Sequence, residues 1–378
     1  MNKNIKLNKI QLKIDKLYIN RAFQLSYLGN FSSMPNPSVG CIIVKKNKII
    51  GEGIHMFSGG PHAEINALRD TIKKVINSTI YVTLEPCIYY GLTPPCVKAI
   101  IYSGIKRVVI AVKDPNPKIL GNSFKILKNA GLQVSYISIN FKNKNNIGFF
   151  KRMITGLPYI KLKYGISLDG RTALLSGVSK WITSIDSRIN VQKLRSQCSA
   201  ILSTSNTILF DNPSFKIHLK YINKLFNNLY PFKNLRQPLI IIIDSKNKIK
   251  PKHKIIKEKR EVLLIRFKKD KKKWPNNVHQ IIFKKKKKIN LKFLMSYLGK
   301  IKINNILVEA GSKLSGLLLK LKLIDELILY ISPKILGNKS LGLFNLPNFK
   351  KILNKNDFIF KNIKKINNDL KIILKKNF

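Results

Sequence analysis

Apolar runs broken by short polar turns organise the chain from residue 39 onward. "VGCIIVKKNKIIGEGIH" (39–55) carries two apolar stretches around a lysine-asparagine turn and predicts a β-hairpin. "HAEINALRDTIKKV" (62–75) returns its apolar residues at helical spacing, and "STIYVTLEP" (78–86) is a β-branched run that predicts a strand. "CVKAIIYSG" (96–104) reads as a short helix stopped by glycine, and "RVVIAVKDP" (107–115) as another buried strand. This alternation predicts an α/β sandwich of modest size. Periodicity fades in "NFKNKNNIG" (140–148), the best linker candidate. Strand signals return in "PYIKLKYGISLDG" (158–170), "SAILSTSNTIL" (199–209), "PLIIIIDS" (238–245), "EVLLIRF" (261–267) and "NNILVEAG" (304–311), with helical stretches between several of them. A second α/β domain is therefore expected, the two spanning residues 1–145 and 149–378.

Length agrees with that division, since 378 residues exceed one ordinary core. Charge complicates the picture: 71 Lys+Arg against 18 Asp+Glu give a formal net charge of +53. Such an excess can signal a polyanionic partner. Here the lysines run through the whole chain beside abundant Asn, Ile, Phe and Tyr, a pattern that also follows from drift towards AT-rich codons. The densest runs, "RFKKDKKKW" (266–274) and "FKKKKKI" (283–289), read as solvated loops or strand ends. No specific nucleic-acid partner is expected. The 4 cysteines lack the spacing of a disulfide framework, and "MNKNIKLNKIQLKID" lacks a signal peptide's apolar core. The longest apolar run, around "LIIIID" (239–244), is too short to span a bilayer. A cytoplasmic location without membrane attachment is expected.

Candidate chemistry is concentrated in "HAEINAL" (62–68), "TLEPC" (83–87) and "TPPC" (93–96). His62 and Glu64, two residues apart at a helix start, face roughly one pocket. Cys87 and Cys96 each follow proline where a helix begins, and the positive end of a helix dipole favours a thiolate. One nitrogen and two sulfurs would leave the fourth tetrahedral position of Zn²⁺ for water, the mark of a catalytic metal site. Glu64, close by and not a ligand, could carry the proton between that water and a leaving amine. Zinc deaminases combine H-x-E with P-C-x-x-C. This chain has H-A-E and P-C, but the eight residues "IYYGLTPP" (88–95) separate its cysteines and supply a loop that could contact substrate. The alternative is that the His and both Cys are core residues, as Cys41 and Cys198 are expected to be. In the second half, "NILVEAGSKLSGLLL" reads as strand, Gly-rich turn and helix, which offers backbone N–H groups to a phosphate or is a plain connection. Asp211 in "LFDNPSF" could equally be a turn residue. Arg195 and Lys163 could hold a phosphate, but so could many of the other basic residues.

Taken in order, "PNPSVGCIIV", "GEGIH", "HAEINALR", "TLEPC", "TPPC", "KDPNP", "GFFKRMITGLPYIKLKYGISLDGRTA", "WITS", "LRSQCSAIL", "VEAGSKLSGLLL" and "DELILYISPKILG" resemble the bifunctional pyrimidine deaminase/uracil reductase family of riboflavin biosynthesis, over nearly the whole chain from about residue 17. The resemblance implies an α/β fold, a cytidine-deaminase-like three-layer domain followed by a dihydrofolate-reductase-like domain. It implies hydrolytic removal of the 2-amino group of a diaminopyrimidinone ribosylamino phosphate, then NADPH-dependent reduction of the ribosyl group to ribityl phosphate. It assigns one Zn²⁺ to His62, Cys87 and Cys96, proton transfer to Glu64 and a catalytic role to Asp211. Nucleotide-binding positions are Gly165, Trp181, Thr207, Asp211, Ser245 and the loop Gly311, Ser312, Lys313, Leu314, Ser315, Gly316 and Leu317. Substrate positions are Asn36, His55, Lys163, Ser179, Arg195, Phe215, His218 and Glu309. A homo-oligomer is expected.

Two loops depart from the family pattern. After Cys87 the family carries Ser-His-His-Gly-Arg, where this chain has "IYYGL" (88–92). After Asp211 it carries Asp-Pro-x-Leu-Thr-x-Arg, where this chain has "NPSFKIH" (212–218). His218 carries less charge at neutral pH than arginine, so weaker substrate binding is expected. Two rival readings are a deaminase of RNA bases and a non-catalytic remnant that serves as a binding protein. An RNA editor has no use for the second half, and a remnant has no use for an intact metal-site motif.

Overall fold

In the computed structural model, which describes residues 2–71, 74–137, 145–225, 235–283, 288–347 and 357–377, the hairpin predicted at 39–55 is present. The chain divides into two units, Met1–Gly156 and Leu157–Phe378.

The first unit contains α1 (Asn2–Gly29), β1 (Gly40–Lys45), β2 (Lys48–Ile54), α2 (Ala63–Arg69), β3 (Thr79–Val82), α3 (Cys96–Tyr102), β4 (Arg107–Ile110), α4 (Asn122–Asn129), β5 (Gln133–Tyr136) and α5 (Ile147–Thr155). Among the described residues its sheet has the order β2-β1-β3-β4-β5. β1 runs antiparallel to β2 and β3, and β3, β4 and β5 run parallel. Alternate side chains of these strands feed two separate clusters. One joins Ile43, Ile80 and Val108 to Ala63, Ala67, Val97, Ile100 and Leu127 of α2, α3 and α4. The other joins Ile42, Tyr81 and Val109 to Tyr18, Ile19, Ala22 and Phe23 of α1. Helices on both faces of one sheet make the three layers the resemblance implied.

Helix α1 escaped the hydropathy reading because its sequence opens rich in lysine and asparagine, and among the side chains described burial begins only at Ile14 and Asp15. It is pinned by Asp15, which is buried and takes a bidentate pair from Arg107 of β4 (2.6 and 2.8 Å) and the Tyr81 hydroxyl (2.9 Å). Helix α2 ends at Arg69 and does not run on to 75, because the Asp70 carboxylate turns back to accept the Glu52 amide of β2 at 2.9 Å. The domain boundary also moves. Residues 140–144 of the linker candidate lie outside the described residues, but Asn146 brackets the Ser38 backbone through both ends of its amide (2.7 and 2.8 Å). Phe149 is buried and Phe150 packs on the α2–α4 cluster. These contacts hold α5 in the first unit, so the units meet between Gly156 and Leu157 and not between 145 and 149.

The second unit contains β6 (Tyr159–Ser167), β7 (Arg171–Ala173), α6 (Ile185–Ser196), β8 (Ala200–Thr204), α7 (Ser205–Asp211), α8 (Leu219–Leu225), β9 (Leu239–Ile243), α9 (Lys254–Lys257), β10 (Val262–Arg266), β11 (Val278–Ile282), α10 (Leu291–Lys300), β12 (Asn305–Val308), α11 (Ser312–Lys320), β13 (Glu326–Ser332), β14 (Leu341–Gly342), β15 (Phe358–Ile366) and β16 (Asp369–Lys376). Among the described residues the main sheet has the order β11-β10-β9-β8-β12-β6-β13-β16-β15, parallel as far as β13 and closed by the antiparallel β16 and β15. The segment predicted as a strand at 199–209 changes element halfway. β8 stops at Thr204, whose hydroxyl accepts the Thr207 amide and caps α7. Parallel strands send the loops after β8, β9 and β12 to one end of the sheet, the usual place for a ligand in such folds.

Candidate active site

In the first unit the metal-site candidates converge. The ligand atoms of His62, Cys87 and Cys96 lie within 4.8 Å of one another, the only such group of His, Cys or acidic residues among those described. His62 Nδ1 is 3.2 Å from Cys96 Sγ and 3.4 Å from Cys87 Sγ, and the Cys96 amide donates to Cys87 Sγ at 3.3 Å. Local structure explains the convergence. His62 occupies the cap position of α2 and Cys96 opens α3, with Cys87 in the loop after β3. Gly53 of "GEGIH" lets α2 lie flush on β2, because a Cβ there would collide with the Ala63 carbonyl. The residue that follows Ala63 is Glu64.

Electrostatics suit a cation. A hydrogen bond from Cys96, with others from His62 and the Cys96 amide, draws the Cys87 thiol down, while Cys96, holding the shared proton in a buried site, is pushed up. Two sulfurs and a nitrogen with this much negative character at one point match the zinc donor set, and no fourth protein ligand is brought to them among the described residues. Glu64 is buried, and burial followed by the negative Cys87 raises its carboxyl to about 7, with His62 only partly opposing. Such a group gives and takes a proton near neutrality.

His55 lies beside this cluster, and Asn36 lies beside His55. The His55 ring stands edge-on to His62, centroids 5.0 Å apart, with Nδ1 3.0 Å from the Pro61 carbonyl and Nε2 3.1 Å from Asn36 Nδ2. The carbonyl can only accept and the amide nitrogen can only donate, so His55 is neutral with its proton on Nδ1. Burial lowers its pKa in the same sense. The divergent loop forms an exposed rim: Tyr89 Oη accepts from Asn116 Nδ2 at 3.2 Å, and Tyr90 and Leu92 face solvent.

In the second unit the central feature is a charge cluster. Glu309, just past β12, is 7% exposed and takes Arg195 Nε and Nη2 at 2.7 and 3.0 Å and Lys163 Nζ at 2.9 Å. Burial alone would raise this carboxyl, but the two cations outweigh it and hold it at about 2. The Arg195 guanidinium also lies over the Phe215 ring, 5.2 Å from its centroid. Lys163 and Gly165 are two residues apart on β6, so they share one face of the sheet. Asp211 closes α7 and takes the Ser179 hydroxyl at 2.8 Å, while Lys180 Nζ donates to the Asp211 carbonyl at 2.9 Å. Trp181 is exposed, with the Arg188 guanidinium 4.0 Å from its ring centre and Lys334 Nζ donating to its carbonyl at 2.7 Å.

The remaining positions fare unevenly. Gly311 caps α11 without a side-chain bond, which leaves the first-turn N–H groups for an anion. The side chains further along this loop are otherwise engaged: Leu314 is in the core, Ser315 takes the Tyr164 hydroxyl at 2.7 Å, and Gly316 packs where a Cβ would strike the Asn345 carbonyl. Ser312, Lys313 and Leu317 remain at least partly accessible. Thr207 serves the α7 cap. Ser245 is half-buried in the turn after β9. His218 lies edge-on to Tyr221, centroids 5.9 Å apart, with its amide on Gln192. Sequence reasoning missed Thr93, whose hydroxyl is 3.2 Å from His62 Nε2, and the lysines Lys180 and Lys334 that hold the Ser179–Trp181 segment. "TPPC" had marked the first; nothing distinguished the lysines from the others.

Comparison with known proteins follows the same division. Residues 12–112 match the model of the cytidine and deoxycytidylate deaminase zinc-binding region, and residues 158–372 match the RibD C-terminal domain. Riboflavin biosynthesis protein RibD of Escherichia coli K12 is 45% identical, over 94% of this chain and 98% of that protein. The protein of the same name from Buchnera aphidicola (subsp. Baizongia pistaciae) is 48% identical, over 96% and 99%. Among solved structures, Acinetobacter baumannii RibD superposes with a TM-score of 0.86 at 35% identity, covering 97% of this chain and 100% of that one. A Thermotoga maritima diaminohydroxyphosphoribosylaminopyrimidine deaminase/5-amino-6-(5-phosphoribosylamino)uracil reductase gives 0.84 at 29% identity with the same coverage.

Proposed function

The chain belongs to the RibD family, a deaminase and a reductase of riboflavin biosynthesis in one polypeptide, and we propose that each unit carries one of the two reactions through the residues described above. The observation that carries this reading is the convergence of His62, Cys87 and Cys96 beside a buried Glu64.

In the first unit His62, Cys87 and Cys96 would hold one zinc ion, whose Lewis acidity makes a water nucleophilic near neutral pH. Glu64 takes a proton from the water and delivers it to the amine, so that a C–O bond forms, the C–N bond breaks and ammonia leaves. His55 and Asn36 orient the pyrimidine, since their mutual hydrogen bond fixes which ring nitrogen carries the proton. The substrate is 2,5-diamino-6-(5-phosphoribosylamino)pyrimidin-4-one.

In the second unit NADPH supplies a hydride when bound. The first-turn N–H groups of α11 and the Trp181 ring would hold it, and Asp211, steered by Ser179, would deliver the proton that completes reduction to the ribityl group. Lys163 and Arg195 present positive charge to the substrate phosphate, and Glu309 keeps them in place before substrate arrives.

The test follows ammonia release and NADPH oxidation separately in the full chain. Glu64→Gln should keep zinc and lose deamination by about 10²–10⁴-fold, with reduction of the deaminated intermediate unchanged. Asp211→Asn should do the reverse. Parallel loss of both activities in either variant would overturn the division of labour.

A further inference from the structure

A neutral imidazole offers one nitrogen to a metal and carries its proton on the other. In His62 the two are clearly distinguished. Nδ1 faces the sulfurs of Cys96 and Cys87, at 3.2 and 3.4 Å, whereas Nε2 faces the hydroxyl of Thr93 at 3.2 Å. His55, the other ring beside it, cannot serve as acceptor for Nε2–H. Its Nδ1 is on the Pro61 carbonyl and its Nε2 on Asn36. We propose that the Thr93 hydroxyl accepts the Nε2–H of His62, and so fixes both the tautomer and the ring orientation that direct the Nδ1 lone pair to the metal. Thr93 is a positioning residue, acting through His62.

The inference rests on the zinc reading above, and it gives a purpose to the eight-residue spacing between Cys87 and Cys96. Thr93 accepts the Gly91 amide on its own carbonyl at 3.2 Å, which turns the loop back on itself. Pro94 and Pro95 follow, and their rings restrict the backbone between Thr93 and the metal ligand Cys96. The hydroxyl is thus held by a turn on one side and stiff chain on the other. A metal-bound histidine whose outer N–H lacks a partner loses orientation and basicity, typically 10–100-fold in metal affinity.

The experiment measures zinc affinity of the full-length protein by chelator competition, in wild type, Thr93→Val and Thr93→Ser. Valine keeps the branched shape and removes the acceptor; serine keeps the acceptor and removes a methyl group. Expected are a loss of about 10–100-fold for Thr93→Val and affinity close to wild type for Thr93→Ser. The Co²⁺-substituted Thr93→Val protein should retain its sulfur-to-metal charge-transfer bands, because both thiolates are untouched. Equal melting temperatures of the metal-free proteins would identify the loss as one of metal binding. Wild-type affinity in Thr93→Val, or equal weakness in Thr93→Val and Thr93→Ser, would overturn the inference while leaving the zinc reading intact. A wild-type chain that holds no zinc would overturn both.

Discussion

The two sites handle charge in opposite ways. Around His62, Cys87 and Cys96 the protein gathers negative character, with Glu64 pushed up to about 7 by burial and by Cys87, and answers it only with the His62 imidazole, whose pKa the Cys87 thiol raises through their hydrogen bond. Around Glu309 the protein supplies its own cations, one buried carboxylate against both Arg195 and Lys163, which holds the carboxyl at about 2 and leaves positive charge in excess. With zinc in the first arrangement, as proposed, folding and metal binding would support each other there. The second is preorganised without any ligand. One unit should therefore respond steeply to loss of metal, the other to loss of a single charge.

The sharpest way to separate them is Cys87→Ser. With one of three ligands gone, zinc should be lost on dialysis and deamination should fall by on the order of 10³-fold or more, since the metal supplies several kcal/mol at about 1.4 kcal/mol per tenfold. NADPH oxidation on the deaminated intermediate should stay at the wild-type rate. Metal analysis beside the two activities checks this, and full zinc occupancy in the variant would remove Cys87 from the ligand set.

The counterpart in the second unit is Glu309→Gln. Removing the carboxylate leaves Arg195 and Lys163 facing each other in a largely buried place, a loss of about 3–5 kcal/mol for breaking a buried pair. Reductase activity and that unit's resistance to denaturant should fall while zinc content and deamination persist. If Glu309→Gln reduces substrate and unfolds like wild type, the cluster is not the organising centre of that site.

The same contrast explains what could be read from the chain before its fold was known. His62, Cys87 and Cys96 stood out because histidine and cysteine are rare here, 5 and 4 in 378 residues, and because proline marks the approach to both thiols. Lys163 and Arg195 are chemically no less committed, yet they are two of 71 basic residues, and only the register of β6 against β12 brings Lys163 beside Glu309. Strands β6, β8, β9, β10 and β12 were legible as buried apolar runs. Helix α1 and the β15–β16 hairpin were not, since most of the hairpin's outer strand is exposed and residues 9–13 of the helix are exposed too. The division at Gly156 was hidden because Asn146 and Phe149 anchor their segment by long-range contacts that local composition does not register.

A gentler separation comes from pH. Metal binding to thiolates and imidazole releases protons, so acid competes with zinc, and the metal's contribution to stability should already shrink as pH falls from 7 towards 5. Glu309 follows a different window. Its folded pKa, about 2, lies below the ordinary 4.5 of glutamate, so the ionised carboxylate contributes stability that is complete above about 4.5. Below that the unfolded chain begins to take up the proton first, and the contribution declines until pH passes about 2, where the folded state is protonated as well. The difference in melting temperature between wild type and Glu309→Gln should thus stay flat from pH 8 to about 5 and narrow only below 4.5. The difference between zinc-loaded and chelated wild type should narrow earlier. Melting curves of the full-length proteins across that range measure both. If the Glu309→Gln difference shrinks together with the zinc difference between pH 7 and 5, Arg195 and Lys163 do not hold the carboxylate as the geometry requires, and the two sites do not differ in the way their charges suggest.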